Sequence, residues 1–112
     1  MICDAWDIAV GPFPFTGGGS KRRPALVLSG ASFNRSSGHT TLAMITTARQ
    51  SSWPGDTALA SASTGLTKDC LVRLKLFTLD NRFIARMVSK LPPKDRQKVR
   101  ASMEQALGVS PA

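Results

Sequence analysis

Three consecutive cations, Lys21, Arg22 and Arg23, end a glycine-rich stretch and stand directly before Pro24. A guanidinium can grip two phosphate oxygens at once, and the proline biases Arg23 toward extended backbone. Such a group suits the negative charge that develops when a phosphodiester is attacked. Taken as residue types alone, the triplet also reads more simply as a solvated basic loop. Metal-assisted chemistry finds little to hold an ion. His39 is the only histidine, the seven acidic residues are scattered, and Cys3 and Cys70 lack ligand spacing. No metal and no cofactor is therefore expected. His39 titrates in the range of a general base, but it lies in a polar loop and reads as a surface residue. The two thiols read as small apolar groups packed inside.

Fifteen Lys and Arg against seven Asp and Glu give a net charge of +8 and a pI near 10.6, the footprint of a polyanionic partner. A membrane surface would instead call for an amphipathic helix with an aromatic or Leu-rich face, which the one convincing helix lacks. No stretch approaches the ~18 apolar residues of a span. The N-terminal segment carries Asp4 and Asp7 and no basic region followed by an apolar run, so it does not read as a secretory leader. A cytoplasmic chain with reduced thiols is expected. At 112 residues, one domain spanning 1–112 is the expectation, small enough for two copies to supplement each other's core.

The elements that must position these groups read as mostly strands, short and separated by turn residues as in small barrels. Trp6–Val10 reads as a first strand, followed by the flexible Gly17–Ser20 loop. Pro24–Ser29 reads as a buried second strand, because Ala25 to Leu28 form a continuous apolar run. Thr40–Thr47 reads as a third. Ser32–His39 and Arg49–Asp69 are polar, the latter with a Trp53-Pro54-Gly55-Asp56 turn and a short edge strand around Thr57–Ala60. In Cys70–Thr78, Cys70, Val72, Leu74 and Leu76 alternate with Leu71, Arg73, Lys75 and Phe77, giving one apolar face and one with two cations. Asp80-Asn81 reads as a hairpin turn into Phe83–Val88. Pro92 and Pro93 open a helix that Gly108 closes. Val99, Met103, Ala106 and Leu107 form its docking stripe, and Lys94, Arg96, Lys98 and Arg100 its solvated side.

Three blocks carry a resemblance. WDIAVGPFPFTGGGSKRRPALVLSG resembles the opening of MazF/PemK-type toxins, with a first strand, a loop and an Arg-Pro start to the second strand. LAMITTA resembles their third strand, and LVRLKLFTLDNRFIARMVSKL their late hairpin before the final helix. The resemblance spans about Ile2 to Leu107. It implies an SH3-like small β-barrel with a C-terminal α-helix, a homodimer, sequence-selective cleavage of single-stranded RNA, and inhibition by a cognate acidic antitoxin threaded over the RNA groove.

Carried over residue by residue, the resemblance implies catalytic roles for Arg23 and Thr46. Thr46 is preferred over the adjacent Thr47, which a one-residue slip would put on the other face. The resemblance gives Arg23 acid or base work as well, although arginine is a poor base. Some relatives have an acidic residue where this chain has Lys75, and Arg73 aligns with one of their functional arginines. Lys21, Arg22, Arg73 and Lys75 are expected to bind RNA. Trp6 stands where the family commonly has Gly. Phe13, Phe15 and Trp53 could stack on bases or fill the core, and none is assigned to the site. The alternatives are a non-catalytic toxin of the CcdB type, which poisons gyrase from the same barrel, and a catalytically weakened RNA-binding barrel.

Overall fold

The computed structural model describes residues 1–13, 22–47 and 52–108. Within them run β1 (Asp7–Gly11), β2 (Arg23–Val27), α1 (Ala31–Ser37), β3 (His39–Thr47), β4 (Thr57–Leu59), α2 (Ser61–Thr64), β5 (Cys70–Asp80), β6 (Arg86–Lys90) and α3 (Pro93–Leu107). The strands form one antiparallel sheet in the order β4-β5-β3-β2-β1-β6, curled as a half-barrel, with α3 following as the C-terminal helix. This is the mainly β architecture expected from the sequence.

Both faces of the central strands are buried, which is why β2 reads as an unbroken apolar run. On one face Ile8, Leu26, Ala43, Ile45 and Val72 pack with Val99 and Met103 of α3. On the other, Ala9, Ala25, Val27 and Leu42 pack with Phe13 and Ile84. Helix α3 begins on Pro93 and ends at Gly108, whose φ of 76° lets its N–H reach the Glu104 carbonyl. Among the described residues no helix is long and apolar enough to cross a membrane.

The structure corrects four expectations. First, the polar segment 32–39 contains α1, a helix without an apolar stripe. Its one buried side chain, Asn34, donates to the carbonyls of Cys3 (2.9 Å) and Ser29 (3.1 Å). Second, Asp80-Asn81 is not a hairpin turn. Asp80 accepts from the Arg82 N–H (2.9 Å) to start a 3-10 turn over Asn81–Phe83, and β6 pairs with β1. Third, the alternation of β5 breaks, because its pairing with β3 jumps from Met44↔Arg73 to Ala43↔Leu76 and leaves Leu76 exposed. Fourth, the stripe of α3 stops at Met103, since Leu107 is exposed, while two cations on its far side are engaged. Arg96 Nε donates to the Leu91 carbonyl (2.6 Å), and Arg100 lies 5.1 Å from the Trp6 ring centroid.

Trp6 is the one non-glycine with positive φ among the described residues, at 75°. Left-handed backbone costs an L residue about 1–2 kcal/mol. The position is held by the Trp6 N–H donating to Val27 O (2.7 Å), the Leu91 N–H donating to Trp6 O (2.9 Å), and burial of the indole in the α3-side core.

Candidate functional site

Strands β2 and β3 pair as Ala25↔Met44, Leu26↔Ala43 and Val27↔Leu42. Continued by two residues, this register sets Arg23 opposite Thr46. Period-two alternation puts both on the face of Ala25 and Met44, at the end of the sheet where β2 begins and β3 ends. Gly11 of β1 pairs with Arg23 on the far side, and Leu71 of β5 pairs with Thr46. Arg23 and Thr46 are half-buried, and Arg22 is exposed. Thr47 turns to the opposite face, where with Pro24, Ile45 and Cys70 it lines a cavity of about 380 Å³. Of the two threonines, Thr46 is the one that shares a face with Arg23. Lys21 and Phe15 lie outside the described residues.

Arg73 lies on the same face, two residues along β5 from the partner of Thr46. It is 5% exposed and makes a two-pronged ion pair, Nε to Asp56 Oδ1 at 3.1 Å and Nη2 to Asp56 Oδ2 at 2.9 Å. The Asp56 hydrogen bond pushes the guanidinium pKa up, so Arg73 is a fixed cation. Asp56 is a site residue that sequence reasoning missed, having read it only as part of a turn. The signal lies in the β4–β5 register: Thr57 pairs with Val72, which brings Asp56 alongside Arg73.

The same carboxylate closes the turn before β4. Asp56 Oδ2 accepts from the Trp53 N–H at 3.1 Å, the Asp56 N–H donates to Trp53 O at 3.1 Å, and Gly55 supplies a φ of 84°. Trp53 emerges 40% exposed, and the Lys75 ammonium lies 4.6 Å from its ring centroid. Lys75 belongs to the two-residue bulge of β5, which lets it leave the ladder. An acidic group therefore reaches this region from Asp56, although position 75 itself is a lysine.

His39 is exposed at the other end of β3, its Nδ1 3.0 Å from the Ser37 carbonyl. Cys3 and Cys70 are buried free thiols, and burial together with Asp69 pushes Cys70 up to about 11. Phe13 is a core residue whose ring stands 5.3 Å from that of Phe77. Among the described residues no three of His, Cys, Asp and Glu gather as a metal site.

The family described as PemK-like, MazF-like toxin of type II toxin-antitoxin system matches residues 4–107 of the chain. The chain belongs to that family. As a member of the PemK-like, MazF-like toxins it is similar to solved structures over nearly its whole length. A MazE–MazF complex from Deinococcus radiodurans is 28% identical with a TM-score of 0.75, over 98% of this chain and 99% of that one. MazF from the same organism is 25% identical with a TM-score of 0.77, over 97% and 99%. An endoribonuclease in complex with its cognate antitoxin from Mycobacterial species is 18% identical with a TM-score of 0.76, over 96% of each chain, and shares the fold. A search of the curated proteins gives no match.

Proposed function

We propose that this toxin is a cytoplasmic, metal-independent endoribonuclease that cuts single-stranded RNA at selected sequences by attack of the RNA's own 2′-hydroxyl. What supports this reading is the β2–β3 register, which, continued two residues past Ala25↔Met44, would set Arg23 opposite Thr46. As the 2′-oxygen bonds to phosphorus and the bond to the 5′-oxygen breaks, charge builds on the non-bridging oxygens. The Arg23 guanidinium is suited to hold that charge, and the Thr46 hydroxyl to align the scissile phosphate or the attacking oxygen. The products are a 2′,3′-cyclic phosphate and a 5′-hydroxyl. The attacking hydroxyl gives up one proton and the departing oxygen takes one, so the step balances without a co-reactant.

Arg22 and Lys75 are suited to bind the RNA backbone, Lys21 is assigned the same role from the sequence alone, and Arg73 supports Lys75's neighbour Trp53 through Asp56. The net charge of +8 also suits an acidic antitoxin segment competing for the same groove. That the related Deinococcus radiodurans toxin is found in a MazE–MazF complex supports such a partner. Phe83 (52%) and Met87 (48%) are exposed beside β1, apolar surface suited to a second copy of the chain.

The test is cleavage of a long unstructured RNA by the purified protein in excess EDTA, with Arg23→Ala alongside. Discrete cuts ending in cyclic phosphate, made by the wild type alone, are expected. Intact RNA with folded, RNA-binding protein would leave only a binding role, and full activity of Arg23→Ala would remove Arg23 from the mechanism.

A further inference from the structure

We infer that Trp53 is a base-stacking platform for single-stranded RNA beside the cleavage site, with Lys75 holding an adjacent phosphate and the Asp56–Arg73 pair as the brace that fixes it. The inference deepens the ribonuclease reading and rests on it. A large aromatic ring left 40% exposed on a protein of net charge +8 offers a face to any base, because stacking needs no particular hydrogen-bond pattern. The ammonium of Lys75 lies over one face of the ring, 4.6 Å from its centroid, so a base would stack on the opposite face with a cation held close by for a neighbouring phosphate.

The ring does not hang on a loose loop. Its backbone N–H is tied to Asp56 Oδ2, whose carboxylate is clamped by the 5% exposed Arg73. Arg73 is a diagonal neighbour of Thr46 across β5 and β3, a separation on the order of 7–8 Å. On this reading, RNA with its scissile phosphate at Arg23 and Thr46 extends past Arg73 to the Trp53 turn and lays a flanking base there. Arg73 acts here through Asp56, as a positioning residue.

The chain contains two tryptophans, and the other, Trp6, is 4% exposed, so a fluorescence change on RNA binding reports Trp53. The experiment titrates full-length Arg23→Ala protein, which should bind without cutting, with a single-stranded RNA oligonucleotide and separately with a polyglutamate peptide. RNA is expected to quench the emission, and the quench to vanish in Arg23→Ala/Trp53→Phe. On the Arg23→Ala background, Trp53→Ala should weaken RNA binding roughly 10- to 100-fold, while Trp53→Phe, which keeps an aromatic face, stays within a few-fold. With Arg23 intact, Trp53→Ala should raise KM more than it lowers kcat, and Asp56→Asn should do the same in part.

RNA binding without quenching, at an affinity that Trp53→Ala leaves alone, would overturn the platform and leave the ribonuclease standing. Quenching by polyglutamate but not by RNA would overturn it in favour of a protein-docking surface. Absence of both RNA binding and cleavage in folded protein would remove both readings together.

Discussion

The carboxylate of Asp56 accepts from both Nε and Nη2 of the buried Arg73, and through one of the same oxygens, Oδ2, it closes the turn that presents Trp53. Removing one member of a buried ion pair strips the other of that partner's charge and hydrogen bonds, which is costlier than replacing both. Asp56→Ala is expected to destabilise the fold, read as a fall in the urea midpoint. The double change Asp56→Ala/Arg73→Met should recover a substantial part of that loss. Equal instability of the single and double variants would show that the pair is not what holds the turn.

The two threonines at the end of β3 separate by face. Thr46→Val keeps the shape and strand propensity of the residue and removes only the hydroxyl. It is expected to lower kcat on RNA by about 10²-fold, the scale seen when one positioned hydrogen-bond donor is lost from a reacting centre. Thr47→Val, on the cavity side, should stay within a few-fold of wild type. A reversed ranking would mean that the β2–β3 register does not continue from Ala25↔Met44 out to Arg23.

How much of this was legible beforehand depended on what each element buries. The apolar run of β2 and the Pro-to-Gly bounds of α3 announce themselves, and both elements appear within a residue or two of their expected limits. Helix α1 buries only Asn34, so it carries no apolar period; it is held by polar contacts to Cys3 and Ser29, which no local pattern reveals. The Asp80-Asn81 turn chemistry was visible, but its use was not, because β6 finds its partner in β1 across the whole chain. Arg23 and Thr46 could be proposed from a resemblance, and their facing rests on register. Asp56 could not be proposed, since its partner follows from the β4–β5 pairing and the β5 bulge.

Trp6 combines two opposing terms at one position. Its φ of 75° favours glycine, while its indole fills the core beneath Arg100. Trp6→Ala loses the ring and keeps the strain, and is expected to cost about 3–5 kcal/mol. Trp6→Gly loses the ring but relieves the backbone, so it should be the milder of the two by about 1 kcal/mol. Urea unfolding of the pair gives the ranking directly. If Trp6→Gly proved the less stable, the left-handed strain would not be a real cost at this position.

Acid sensitivity follows from two carboxylates. The Asp4 carboxyl is held below its usual range by hydrogen bonds from the N–H groups of Ala31 (2.9 Å) and Ala5 (2.8 Å). Asp80 is held down by the Arg82 side chain and then by the Arg82 N–H. Each is more acidic folded than unfolded, so the unfolded chain binds more protons as the pH drops. The stability they contribute is present above the ordinary carboxylate pKa of about 4 and is lost as pH falls through the folded values. Urea unfolding should therefore show little change from these groups between about pH 7 and 5, then a decline below about pH 4. Asp4→Asn keeps an acceptor oxygen but cannot titrate, so its decline should be shallower than that of the wild type. Identical slopes in the two proteins would show that the bond from Asp4 to the start of α1 is not a source of acid lability.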